Sequence, residues 1–200
     1  VMPLVSVVRR SILIDQQINF SIWQSIFIDE EIFRSLMTSV KYAAFTIVVS
    51  TTIGLFGACA VIYGSARYRF LNLLTALPVV VSAVTLGLGM IVTFDVDPID
   101  WRGAWLMMPI AHCLVAIPIV MRIITPTIRD LPNGLRDASQ TLGATTWQMW
   151  RTIDLKIIKP ALVTAAAIAC AVSLGEFGAS SFLVRRDNET LPLIISRLLG

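Results

Sequence analysis

Charge is what this chain has least of. Only 14% of its 200 residues are Asp, Glu, Lys or Arg, while 56% are hydrophobic and the mean hydropathy is +0.78. A soluble domain of this size could not hide that much apolar surface, which excludes an ordinary water-soluble fold. Cysteine is sparse too. Cys59, Cys113 and Cys170 lie in apolar stretches with no CxxC spacing, so they read as small core residues and not as disulfides or metal ligands. The single histidine, His112, lacks the companions of a metal site, and a packed or hydrogen-bonded role is expected of it. No GxxxxGK[ST] loop occurs, so the chain carries no phosphate cradle for ATP hydrolysis and is not expected to be an enzyme. The balance of 16 basic against 13 acidic residues is accounted for by loops, which leaves nucleic-acid binding without support. Val1–Val8 shows no signal-peptide order of charge, apolar run and cleavage site.

What is present is a set of long runs free of charge: Tyr42–Ala66, Phe70–Phe94, Gly103–Met121 and Pro160–Gly175, the last resuming after Glu176 at Phe177–Val184. About 20 residues cross a bilayer as helix, and lipid offers the backbone no other partner. The expected fold is therefore all-α, one polytopic membrane helical bundle with crossings at about 38–64, 70–94, 103–121 and 160–184. Small residues within the runs, such as Ser50, Gly54, Gly57, Gly87 and Gly89, suit close helix packing, and Pro78, Pro109 and Pro118 would kink or start helices.

The loops orient the bundle. Arg67 and Arg69 stand without an acid between the first two runs, whereas Asp95, Asp97 and Asp100 outnumber Arg102 between the next two. The segment 122–159 carries Arg122, Arg129, Arg136, Arg151, Lys156 and Lys159 against Asp130, Asp137 and Asp154. The positive-inside rule puts the first and third of these loops in the cytoplasm, and leaves 9–36 and 185–200 outside. Both ends of the sequence look cut from a longer membrane protein: Val1–Val8 resembles the outer end of a preceding helix, and a further crossing is expected after Gly200.

Within the long cytoplasmic segment, a helix is expected to begin near Asn133 or Gly134 and to carry Leu135, Ala138, Ser139 and Leu142. Gly143 interrupts it, and a glycine there permits a positive φ from which a second short helix, with Trp147, Met149, Trp150, Ile153, Ile157 and Ile158, leaves at an angle. Two such helices could fill a groove on another protein, or could lie on the membrane surface as an amphipathic loop.

The run Asp137-Ala138-Ser139, three residues, Gly143, nine residues, Ile153-Asp154-Leu155 is similar to the cytoplasmic signature of membrane subunits of binding-protein-dependent ABC importers, namely Glu-Ala-Ala, three residues, Gly, nine residues, Ile, any residue, Leu, Pro. Asp137 and Ser139 replace Glu and Ala, and Lys156 stands where Pro is usual, with Pro160 four residues on as a substitute turn. The resemblance implies a coupling helix seated on an ATP-binding cassette subunit, with Arg136, Asp137, Ala138, Ser139, Leu142, Gly143, Ile153 and Leu155 at or around the contact. It implies further partners: an extracytoplasmic solute-binding protein, a second permease copy or half, and the lipid bilayer of the bacterial plasma (inner) membrane. ATP and Mg would reside on the ATPase partner, with no cofactor on this chain.

Downstream, Ser173–Leu183 with Thr190-Leu191-Pro192 and Arg197–Gly200 resembles permeases for ferric iron or thiamine, while sulfate and molybdate permeases share the same architecture. Glu176, about 22 Å along a helix from Ala161, would lie in the outer half of the bilayer, where a charge must face a bundle interior or a wet cavity. Glu176, Ser173 and Gly178 are the candidates for a translocation path, with a carboxylate bonded to a neighbouring helix, or near the outer headgroups, as the structural alternative for Glu176. A secondary transporter or channel without an ATPase would share the apolar helices but has no need of the glycine-jointed loop. An intramembrane enzyme would need paired catalytic groups, which one Glu and one His on different helices do not supply.

Overall fold

The computed structural model describes residues 13–14, 17–18, 27–64, 82–96, 99–100, 105–184 and 188–199. Expectations for Val1–Val8, for Arg67 and Arg69, for the first half of the second crossing at 70–81, for most of the outer segment 9–26 and for Gly200 lie outside these residues. The described chain is helical. Two short antiparallel ladders, β1 (Leu13–Ile14) with β2 (Gln17–Ile18) and β3 (Asp95–Val96) with β4 (Ile99–Asp100), are its extended pairings.

Among the described residues, three helices are long and apolar enough to cross a membrane: α1 (Glu30–Tyr63), α3 (Met107–Arg129) and α5 (Thr146–Gly175). The shorter apolar α2 (Ala83–Phe94) belongs to the expected second crossing. Each long helix extends past one of its expected bounds, for a local reason. α1 starts at Glu30 and not near residue 38, because the Asp29 carboxylate accepts the N–H groups of Glu31 (2.9 Å) and Ile32 (3.3 Å) while Glu30 and Glu31 sit at the positive end of the helix dipole. α3 runs past Met121 to Arg129, through Pro118 and Pro126, because Ile124 and Ile128 continue its buried stripe while Arg122 and Arg129 face outward. α5 opens at Thr146, so the second stub of the expected pair is instead the base of a membrane helix; neither Lys156 nor Pro160 turns the chain.

α1, α3 and α5 form the main core. Ala58 of α1, Ala116, Val120, Ile124 and Ile128 of α3 and Ile158, Ala165 and Ala169 of α5 belong to one buried apolar cluster. The buried face of α1 is made of small residues, among them Ser35, Ser39, Ala43, Ser50, Gly54 and Ala58. A Cβ at Gly54 would come within 2.4 Å of Val120 Cγ1, which shows how closely α1 and α3 approach. A second cluster joins Met90 of α2, Met107 and Ala111 of α3, and Ala179.

Polar ties mark the two ends of α1. At its N-terminal end Arg197 of α7 (Leu191–Leu199) pairs with Glu31 and with Glu189, and the Ser39 hydroxyl accepts the Leu191 N–H at 2.8 Å. At its C-terminal end Tyr63 meets α4 (Asn133–Thr141). With 34 residues, α1 is about 51 Å long, ample for a hydrocarbon core of about 30 Å. The segments expected outside and inside the membrane thus lie at opposite ends of the bundle.

Candidate functional site

The glycine joint is built as the spacing suggests. α4 ends at Leu142, where the Gly143 N–H donates to the Gln140 carbonyl (2.9 Å) and the Ala144 N–H to that of Ser139 (3.0 Å). This paired closure requires a left-handed residue, and Gly143 supplies it at φ +80°. Thr145 then caps α5 in a reciprocal box: its hydroxyl accepts the Gln148 N–H at 3.3 Å while the Gln148 side chain accepts the Thr145 N–H at 2.8 Å. Only Gly143 and Ala144 separate one helix end from the next cap, so the knuckle has little slack.

The eight expected coupling residues divide by burial. Asp137, Ala138, Leu142 and Gly143 are exposed, with Leu142 at 88%. Arg136, Ser139, Ile153 and Leu155 are half-buried and turned toward the chain. Arg136 is committed internally: its Nη2 and Nε donate to the two oxygens of Asp154 at 2.5 and 3.2 Å, and its guanidinium stands 4.8 Å from the centre of the Tyr63 ring. The Asp154 hydrogen bond pushes the Arg136 guanidinium above its ordinary value, so the pair stays charged wherever the carboxylate is ionised.

The three expected path residues lie where α5 ends. Ser173, on its last turns, bonds to His112 Nδ1 of α3 at 2.8 Å. His112 Nε2 bonds to Ser180 at 2.9 Å, at the start of α6 (Ser180–Leu183). In the neutral ring one nitrogen donates and the other accepts a serine hydroxyl. Glu176 stands beyond the last turn of α5, not within a crossing helix. It is nearly buried, and its Oε1 accepts the Ala179 N–H at 2.9 Å, capping the turn that leads into α6. Gly178 is filled by neighbours, since a Cβ there would lie 3.2 Å from Ala83 and Val84 of α2. Gly87 is tighter still, with Ala179 backbone 2.8 Å from the position of its missing Cβ.

Residues 50–198 match the model of the family described as "Binding-protein-dependent transport system inner membrane component". The chain belongs to this family. Among its relatives are the sulfate transport system permease protein CysT of Escherichia coli (33% identity over 132 residues, 58% of this chain and 48% of the relative) and a putative 2-aminoethylphosphonate transport system permease protein, PhnV, of Salmonella paratyphi A (26% over 136 residues, 68% and 51%). A third is the molybdenum transport system permease protein ModB of Haemophilus influenzae (35% over 97 residues, 47% and 41%). The chain spans about half the length of these curated relatives. None of the three is a ferric iron or thiamine permease.

The three membrane-length helices agree with a multi-pass inner-membrane component. Within 133–155, sequence reasoning missed the Thr145–Gln148 box, although Thr-x-x-Gln after a glycine is its local signal. It also offered Arg136 to an outside partner. The pairing with Asp154 spans 18 positions and has no local signal.

Proposed function

We propose that the protein is the membrane-spanning permease subunit of an importer driven by a separate ATP-binding cassette subunit. Family membership supports this, and the single observation that carries it is the knuckle Asp137–Gly143, presented outward at one end of the bundle on a joint with two fixed caps. Closure of the ATPase pair would push this knuckle and tilt the helices attached to it between inward- and outward-facing arrangements. A solute-binding protein would deliver cargo at the end of the bundle that holds Glu31 and Arg197, and the exposed apolar faces would meet a second permease half and lipid.

For the cargo we favour a small oxyanion, the class to which the solutes in the relatives' names belong. Ferric iron or thiamine rests on the likeness of Ser173–Leu183 with Thr190-Leu191-Pro192 and Arg197–Gly200, and in the first of these segments Glu176 is turned to the Ala179 N–H while Ser173 and Ser180 are turned to His112. A secondary transporter without an ATPase finds no support in the family.

The intact permease is expected to co-purify with an ATPase subunit and to stimulate its turnover. Leu142→Ser should weaken that association roughly thirtyfold, since burying a leucine that is 88% exposed in the free chain contributes about 2 kcal/mol. The melting temperature of the permease alone should not move. An unchanged affinity in a titration of the two purified subunits would remove Leu142 from the contact.

A further inference from the structure

α4 has no buried apolar side chain among its described residues. Of its residues whose side chains are described none is buried, and with 9 residues it is too short to be stable alone. Its two ends are short joints, Leu131-Pro132 toward α3 and the capped Gly143-Ala144 toward α5. A force applied to its outer side would rotate it about them unless a third point stopped it. That point exists: Arg136 reaches across to Asp154 with two hydrogen bonds and lies on the ring of Tyr63, the last residue of α1.

Asp154 is placed for this by a local irregularity of α5. Residues Trp150–Asp154 form a π-helical turn, in which the Leu155 N–H reaches back to the Trp150 carbonyl. One extra residue rotates the helix face by about 100°. Asp154 and Ile158 consequently point inward at 1% exposure each, while Lys156 and Lys159 stay outside. A carboxylate that deep needs its bidentate partner, so the position of α4 is tied to the fold of α5.

We propose that Asp154 and Arg136, backed by Tyr63, are positioning residues that lock the angle of α4 and pass its displacement to α1 and α5 together, in place of letting it swivel. This rests on the permease function proposed above and names the contact through which that function would transmit force.

The test uses the complete importer in lipid nanodiscs and proteoliposomes, with uptake of sulfate, molybdate and 2-aminoethylphosphonate measured per ATP hydrolysed. Asp154→Asn keeps the shape and one acceptor but removes the charge. It should leave ATPase binding intact and basal hydrolysis within about twofold, lower uptake per ATP about tenfold, and speed amide hydrogen exchange in 133–141 about tenfold. Arg136→Lys, which keeps the charge but not the fork, should give an intermediate loss of uptake per ATP, and carries the test should Asp154→Asn fail to accumulate. Unchanged uptake per ATP in these variants overturns the brace, even with faster exchange, and so does a loss explained wholly by weaker ATPase binding. An unaltered importer that binds no ATPase, or moves none of the three solutes, places the failure in the functional assignment instead.

Discussion

Gly143→Val is expected to leave the membrane helices assembled while uncoupling solute uptake from ATP hydrolysis roughly thirty- to a hundredfold. Gly143 holds φ +80°, where an L residue costs about 1–2 kcal/mol and a β-branched one more, so that 2 to 3 kcal/mol is expected for valine. Apart from Gly143 and its two chain neighbours, no atom lies within 4 Å of the position a Cβ would occupy. The cost is therefore conformational and confined to the joint. Relief comes only by abandoning the paired closure on Gln140 and Ser139, which lets α4 leave α5 at another angle and carries Leu142 away from its place. Gly143→Ala should show the same direction with a smaller effect, and Gly143→Asn, which tolerates the left-handed region, smaller still. Uptake per ATP in proteoliposomes is the measurement, with the melting temperature of the permease as control. A valine variant that couples normally would show that the angle of this joint is irrelevant to coupling.

How much of this was legible in the linear chain follows the range of each interaction. The runs free of charge reveal membrane helices because lipid acts on every residue alike, and the positive φ of Gly143 is a one-residue property of the glycine itself. A charged residue does not by itself mark a helix end. Arg122 and Glu30 sit on α3 and α1, each helix continuing because its other face stays buried or its first turn is capped. The breadth of the coupling set reflects motif spacing, which records positions but not faces: Asp137 and Ala138 look outward, while Arg136 and Ser139, on the same two turns, look in. Glu176 was the hardest to place. Its stretch reads as one interrupted crossing, whereas in the structure α5 stops at Gly175 and the carboxylate closes the following turn. That outcome depends on Gly178 and Ala179 packing against α2, a contact between segments far apart in sequence.

The same break is where the largest loss of stability is expected. His112→Ala should lower the stability of the bundle by about 2 to 4 kcal/mol, the sum of a cavity and two hydroxyls left without a partner. His112 is 1% exposed, and its two ring nitrogens are the only link of this kind between α3 and the two sides of the break among the described residues, Ser173 before it and Ser180 after it. Tyr42 of α1 packs edge-on against the ring at 6.1 Å, so the cavity would open toward α1 as well. For a chain of this size the loss corresponds to a melting temperature lower by about 4 to 16 °C, read by thermal unfolding in detergent micelles. His112→Gln, whose amide can still reach one serine, should lose about half as much. Equal melting temperatures for the alanine variant and the unaltered protein would mean that neither the packing of the imidazole nor its hydrogen bonds hold the break together. A loss confined to alanine and absent from glutamine would show that the filled volume and one hydrogen bond together suffice, and that the second serine contact adds little. Because Ser173 and Ser180 flank Glu176, the alanine change should also free the turn that Glu176 caps, and hydrogen exchange at the Ala179 amide would report it.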